Sequence, residues 1–546
     1  MVVSWEKIQE AFSLFGTTFA GDIIPDRIVS LCEKYGMEAS DLCDEWMAWS
    51  KGKAMVVEYG TLDKMIQDLD KRKQAEAVPI ASQKTPKLEA RKRALKQSPT
   101  TGTPKRRLDG SNVTVLSASF TDGSNSSPAR LYKSGKRSGQ VVASYVGNSY
   151  KDTKTAEKIE VTQLMDMEIQ GRLQNKNRNE LNVAILERLG KLRDKFKFDP
   201  KDQLKDISGG FVGMGDLVYG LLRPPKKANL PFQLYGDYET SRSSNMPVLP
   251  KFPAFPGQIV VARVGNSVSE AKFLENPIAL ELPASPPKLQ DKGRVRLVVA
   301  AGPYTTIDTL SYEPYHDFID KLAQEEPDIA IMFGPFVDRN HKKLSVNLDC
   351  TFEAYFNHLV KYLATKLTGK KTLVYVVANY RENHTTSRAF PTEKYALHLE
   401  NITNVRAVND PSILDVNGIH VALSSTDVFR ALTDTIVNAE DNCDMNRLSA
   451  RMLLEQRSFY PVFPAHGDLI VRMPLANRTM FETRPHLLVM PATVAPFVVA
   501  EEGCLFVNPG SLVKGMDAGS YASIDIFPVE GLDSIVDTTK VAITKI

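Results

Sequence analysis

Residues 329–342 read IAIMFGPFVDRNHK. Five apolar residues, Ile329 to Phe333, end on Gly334 and Pro335, and Asp338, Arg339 and Asn340 follow. A continuous apolar run of this length is the signature of a strand buried on both faces. The loop at the carboxyl end of such a strand is where α/β folds place their chemistry. Pro335 offers that loop an apolar ring and no donor atom. The stretch therefore asks whether the corner performs chemistry or only closes the sheet.

The neighbouring sequence repeats the pattern. RVRLVVAAG (294–302) precedes the helical PYHDFIDKLAQEE, and DIAIMFG (328–334) precedes FEAYFNHLVKYLATKL. KTLVYVVAN, GIHVALSS, HLLVMPA and CLFVNPG follow. Buried strands separated by helical segments predict an α/β sandwich or doubly wound sheet over 289–546.

Upstream, GGFVGMGDLVYGLL, LPFQLYGDY, PGQIVVARVG and EAKFLENPI are short strands punctuated by Gly, Pro and Asn. They predict a small Greek-key barrel of the OB-fold type over 200–288. Its strands place few aromatic residues beside basic ones, so a structural role is favoured over single-strand binding. Residues 155–199 form a predicted helical lead-in, with Leu181, Ala184, Ile185 and Leu189 at helical spacing. Residues 1–76 predict a helical bundle of four short amphipathic helices. Ser4 caps the first and Gly16 ends it, while Pro25 opens the second and Gly36 closes it. Such a bundle, with no polar constellation inside, is expected to be a protein-docking module.

Residues 77–154 are rich in Ser, Thr, Lys, Arg, Gly and Pro. A segment of this kind buries too little apolar surface to offset its ordering entropy and is predicted to be a disordered linker. Arg91, Lys92 and Arg93, with Lys105, Arg106 and Arg107, form two basic clusters that suit nuclear import or phosphate contact, or are solvated charge. Thr85, Ser98, Thr103 and Ser127 each precede proline, the pattern proline-directed kinases read in extended backbone. A phosphate there adds about −1.5 to −2 charge inside a basic segment.

At 546 residues the chain is too long for one core. Its 42% hydrophobic and 24% charged residues are ordinary for a globular protein, and net charge is +3. No stretch is long and apolar enough to predict a membrane span. The first residues, MVVSWEKIQEAF, lack the pattern of a secretory signal. Five scattered cysteines without C-x-x-C spacing predict buried thiols in a reducing compartment.

The order and spacing of the strand ends in 289–546 resemble the calcineurin-like metallophosphoesterases. That family carries Asp-x-His, Gly-Asp, Gly-Asn-His and Gly-His-x-His at successive strand ends, and usually Asn-Pro-Gly-Ser thereafter. The last motif is intact as Asn508 to Ser511. The first strand instead ends at Gly302 and Pro303, and Pro335 stands where the bridging Asp belongs. Asn379 matches the family Asn without its His, and Ala492 and Val494 stand where two His are expected. Two metal ions about 3.5–4 Å apart need a bridging carboxylate and further donors on each side. The resemblance thus implies an inactive domain with no cofactor, the alternative being an active metal-dependent phosphoesterase or nuclease. His316, His341, His384, His420 and His466, with Asp308 and Asp338, remain as residual candidate ligands, His341 and His384 lying nearest the strand ends.

A barrel joined to such a domain resembles the B subunits of the replicative DNA polymerases, within them the polymerase α–primase branch. VVAAGPYTTIDTLSYEP (298–314), PDIAIMFGPFVDRNH (327–341), GIHVALSSTDVFRAL (418–432), LEQRSFYPVFP (454–464) and CLFVNPGSLVKG (504–515) carry the likeness. FPGQIVVARVGN (255–266) extends it into the barrel. The resemblance implies a nuclear, non-catalytic scaffold that holds the C-terminal, zinc-bearing domain of the polymerase catalytic subunit. Primase subunits would join through the complex that makes RNA–DNA primers. Other replication proteins would dock on the N-terminal module, and any DNA contact would be indirect or weak. Phe459, Tyr460 and Phe463, the densest aromatic run of the domain, are expected on the partner surface.

Overall fold

A computed structural model describes residues 138–546 apart from short stretches, the longest being 168–177, 225–230, 237–243 and 345–349. Nearer the N-terminus it describes residues 5–13 and isolated positions between 18 and 65. The basic clusters and all four Ser/Thr-Pro positions fall outside the described residues. The chain divides into two compact units, Met1–Leu108 and Asp109–Ile546.

In the first unit, Trp5–Ser13 is helical and buries Ile8 and Phe12, four residues apart on one face. Ile28 with Cys32 and Leu42 with Trp46 repeat that spacing at helical, fully buried positions, and Met65 is helical and buried too. Two short parallel strands, Thr18–Phe19 and Val56–Val57, were not foreseen from sequence.

In the second unit, two sheets face each other. The first has seven strands in the order Val405–Val408, Leu373–Val377, Ile329–Phe333, Val295–Ala301, Ser520–Ile526, Thr539–Lys545 and Val141–Val146. The first four are mutually parallel and the last three antiparallel. The second has six: Phe497–Glu501, Cys504–Asn508, Leu487–Val489, Ile419–Leu423, Ser412–Val416 and Val161–Met165. Strand alternation divides the apolar residues between two layers. Leu297, Val299, Ile331, Phe333 and Val377 meet Val421, Leu423, Val489 and Val507 between the sheets. Val298, Ala300, Ala330, Met332 and Val376 turn outward, under helices Glu313–Glu325 and Phe352–Lys366. Ala422, Leu488 and Phe506 lie under helices Val428–Thr435 and Met445–Glu455 on the far side. The result is a four-layer α/β sandwich.

Two sequence boundaries move. Val141–Val146 pairs along Thr539–Lys545 as an edge strand, so the predicted linker cannot extend to 154. Tyr145 and Ala143 face the inter-sheet core, which supplies the burial that the flanking sequence lacks. Likewise Val161–Met165, read as part of a helical lead-in, is the edge strand beside Ser412–Val416. Among the described residues of that lead-in, only Arg178–Arg193 is a long helix.

The barrel consists of Leu217–Arg223, Phe232–Gly236, Ser244–Pro250, Ala271–Ile278 and Ile259–Val268, and Ile259–Val268 pairs back onto the first strand to close it. Ser244–Pro250 and Ala271–Ile278 run parallel. The sequence reading missed Ser244–Pro250 because Pro247 and Pro250 argue against a central strand.

The barrel is keyed into the sandwich. Phe255, from the loop between the third and fourth barrel strands, is fully buried among Phe459, Phe390 and Leu453. Ala254 and Val437 exchange backbone hydrogen bonds of 3.1 and 2.8 Å. Arg457 donates to the carbonyls of Glu281 and Leu282 at 2.7 and 2.8 Å. Gly257, at φ +99°, has no room for a side chain: a Cβ would lie 2.4 Å from the Phe463 nitrogen.

Candidate functional site: the strand ends of the sandwich

The strand-end positions singled out from the sequence are held by other parts of the chain. Gly302 donates to the Phe333 carbonyl at 2.9 Å, and a Cβ there would lie 2.0 Å from the Pro335 oxygen. The ends of the first two strands are thus pressed together, with only a glycine's thickness between them. Asn379 accepts from the Arg381 amide at 2.8 Å through Oδ1 and donates to the Ser425 carbonyl at 3.3 Å through Nδ2. Asn508 accepts from the Ala492 and Gly510 amides at 2.8 and 2.9 Å. Its Nδ2 donates to the carbonyls of Val494 and Ala495 at 3.4 and 3.2 Å. Asn508 therefore braces the loop that carries Ala492 to Ala495.

Glu382 lies at the centre, completely buried. Its carboxylate accepts from the amides of Phe336 and Val337 at 2.7 and 2.6 Å and from the Tyr395 hydroxyl at 3.0 Å. Charge-assisted bonds of this kind are about twice as strong as neutral ones. One carboxylate thereby ties the loop after Ile329–Phe333 to the loop after Leu373–Val377. Gly334 is required beneath it, because a Cβ would lie 2.2 Å from the Tyr395 oxygen. The sequence reading passed over Glu382; its signal was an acid within an apolar strand end, in VVANYRENH.

Aromatic rings fill the space around this lock. Tyr304 stacks on Phe336 with centroids 4.7 Å apart, and His384 on Phe356 at 3.9 Å. The hydroxyls of Tyr304 and Tyr312 donate to the carbonyls of Phe333 and Phe336 at 2.9 and 2.8 Å. Burial raises both phenols well above their ordinary range, so they remain neutral donors. Beside them Asp410, fully buried, accepts from the hydroxyls of Ser424, Ser425 and Thr426 at 2.7, 2.8 and 2.7 Å. Burial still raises its carboxyl, with those hydroxyls opposing the shift.

The residual candidate ligands do not converge. His341 bonds the Thr306 carbonyl at 2.9 Å through Nε2. Asp338 pairs with Arg381 and caps the Asn340 amide at 3.0 Å. His384 lies 3.5 Å from Glu382 but is stacked against Phe356. Asp308 is part-exposed in the loop after the first strand. His316 packs on Tyr362, His466 on Asp434, and His420 on His486 in the second sheet. Among the described residues, no three His, Cys, Asp or Glu side chains gather to hold a metal. The residues present do not fit a two-metal centre, because Pro335, Ala492 and Val494 have no side-chain donor.

The aromatic run is not an exposed surface. Phe459 is fully buried, 4.4 Å from Phe481, and Tyr460 is 2% exposed with its hydroxyl accepting from the His466 amide at 2.9 Å. Phe463 is half-buried, and its amide donates to the Pro256 carbonyl at 2.9 Å. The expectation that these three form the partner surface is corrected: the run serves the junction of barrel and sandwich. Two cores joined in one unit must cover the surface between them, and the densest apolar segment is spent there.

Comparison with known proteins shows what this arrangement is similar to. A sequence profile of the B subunits of DNA polymerases alpha and epsilon matches residues 297–499, and a profile of the N-terminal part of the DNA polymerase alpha B subunit matches residues 6–69. The chain is 25% identical to the DNA polymerase alpha B subunit of Mus musculus over 96% of both chains. With that of Drosophila melanogaster it shares 32% identity over 50% of this chain and 44% of the relative. Among solved structures, Vacuolar Protein Sorting 29 from Cryptosporidium parvum aligns with a TM-score of 0.22 and 11% identity, covering 46% of this chain and 98% of that one. The first profile marks residues 297–499 as similar to the B subunits of replicative DNA polymerases. The second, with the curated relatives, is more specific: the chain is similar to the DNA polymerase alpha B subunits.

Proposed function

We propose that the chain is a non-catalytic scaffold of the DNA polymerase alpha–primase complex, gripping the C-terminal, zinc-bearing domain of the catalytic subunit while primers are made. The observation that carries this reading is the closed strand-end site. Glu382 and Asn508 hold the loops that metal ions hold in an active phosphoesterase, so the sandwich is a rigid body without donors for catalysis. The barrel is an OB-fold. Its strand order, with the fourth closing on the first and the third parallel to the fifth, supports that assignment. The sandwich is an inactive phosphoesterase fold. The helical N-terminal module docks other replication proteins through residues 77–137, and primase joins through the complex. The chain works in the nucleus, directed there by Arg91, Lys92, Arg93, Lys105, Arg106 and Arg107, and Thr85, Ser98, Thr103 and Ser127 are its kinase sites.

Co-expression with the catalytic subunit's C-terminal domain, followed by size-exclusion chromatography, tests the reading. A stable 1:1 complex is expected. Separate elution at micromolar concentration would overturn it.

A further inference from the structure

The connector from barrel to sandwich runs between Ile278, which ends the fifth barrel strand, and Val295, which begins a sandwich strand. Residues 283–289 of it read PASPPKL. Ser285 is followed by Pro286 and, three places on, by Lys288, just as Thr103 is followed by Pro104 and Arg106 and Ser127 by Pro128 and Arg130. No other Ser or Thr after residue 127 precedes a proline. Ser285 and Lys288 are both exposed and lie outside any helix or strand.

The Ser285 hydroxyl faces a cation. Arg484 Nη2 donates to its Oγ at 3.4 Å, and no carboxylate among the described residues forms an ion pair with Arg484. Nε of the same guanidinium makes no hydrogen bond. Gly503 leaves another side of Nη2 bare, since a Cβ there would lie 3.2 Å from it. The two chains are held in register, because the Arg484 amide donates to the Ala284 carbonyl at 2.8 Å. A hydroxyl at this distance is a weak partner for a guanidinium. A phosphoryl group on the same oxygen brings about −1.5 to −2 charge and three strong acceptors, the chemistry that arginine binds best.

We propose that Ser285 is a phosphorylation site and that Arg484 seats the phosphate, tying the connector to the second sheet of the sandwich. A proline-directed kinase transfers the group from a nucleoside triphosphate. Ser285 Oγ bonds to the γ-phosphorus as the bond from that phosphorus to the β,γ-bridging oxygen breaks. The nucleoside diphosphate leaves, and the hydroxyl proton passes to the kinase's base. Pro286 is buried, and Leu289 is pinned by backbone hydrogen bonds to Leu532 and Gly531 at 2.7 and 3.0 Å. The kinase therefore reaches the serine when this short stretch lifts from the surface, an opening smaller than global unfolding. Once it settles back, the connector carries an ion pair that the unmodified chain lacks.

The test uses the full chain with Thr85, Ser98, Thr103 and Ser127 each changed to Ala, so that Ser285 is the one Ser-Pro or Thr-Pro site left. A purified proline-directed kinase with ATP and Mg²⁺ is the reagent, and the readouts are phosphopeptide mass spectrometry and the melting temperature. One phosphate on Ser285 is expected, and none after Ser285→Ala. The modified chain should melt higher by about 2 °C or more. With Arg484→Gln the phosphate should still enter and the rise should vanish. Absence of phosphate at Ser285 overturns the site, whether or not a free peptide of residues 280–292 accepts it. A melting temperature that phosphate leaves unchanged or lowers, or raises equally in Arg484→Gln, overturns the seat. Neither result depends on partner binding, so the scaffold reading stands or falls separately.

Discussion

Gln456 holds Ile259 with both ends of its amide: the Ile259 N–H donates to Oε1 at 2.9 Å, and Nε2 donates to the Ile259 carbonyl at 3.0 Å. Both residues are buried. A sandwich side chain thus completes the backbone pairing at the start of a barrel strand, as a neighbouring strand would. Gln456→Ala strands a buried donor and a buried acceptor and should cost about 2 kcal/mol or more. Urea unfolding reads this directly. A change below 0.5 kcal/mol (roughly the scale of a neutral surface substitution) would show that the two bodies are not joined here.

Phe459→Ala and Tyr460→Ala should each destabilise the fold by about 3–5 kcal/mol, the usual range for emptying a buried aromatic site. The measurement is the midpoint of chemical unfolding. Preserved stability would restore these residues to the exposed surface that their composition suggested.

Glu382→Gln keeps the shape and removes an acceptor. One of the two amides, Phe336 or Val337, would then face a side-chain NH2, with a loss of about 1–3 kcal/mol. Amide hydrogen exchange should quicken at Phe336 and Val337 before it does in the sheet. Uniform protection would mean that the carboxylate is not the tie between the loops.

The sandwich was largely legible because strands buried on both faces spell unbroken apolar runs such as Ile329–Phe333 and Cys504–Asn508. That Pro335 and Ala492 offer no side-chain donor was legible for a related reason, since those side chains lack one in any fold. What ties the strand-end loops together was not. Glu382 reaches the amides of residues 336 and 337 and the hydroxyl of residue 395, partners that no local spacing announces. The edge strands Val141–Val146 and Val161–Met165 were hidden because partners far along the chain complete them. The run at 459–463 misled because burial against a second core and burial against another protein call for the same residues.

His486 is completely buried, and burial, reinforced by His420, pushes its imidazole from 6.5 down to about 4. The unfolded chain takes up a proton below about pH 6.5 that the folded chain refuses until about pH 4. Stability is therefore complete above that window and falls as the pH drops through it, by up to about 3 kcal/mol from this group. The imidazoles of His316, His358 and His420 are lowered too, chiefly by burial, and act in the same direction. His486→Asn keeps an acceptor for the His420 amide, now at 2.9 Å from Nδ1, and should flatten the stability profile between pH 6.5 and 4. An identical profile in wild type and variant would assign the acid loss to other groups.

The account turns on a phosphoesterase-like corner whose donors have become packing, and the most direct measurement is hydrolysis of bis(p-nitrophenyl) phosphate by the purified full chain with Mn²⁺. It predicts a rate equal to Mn²⁺ alone at every protein concentration. Saturable, protein-dependent turnover that His341→Ala or His384→Ala abolishes would contradict it.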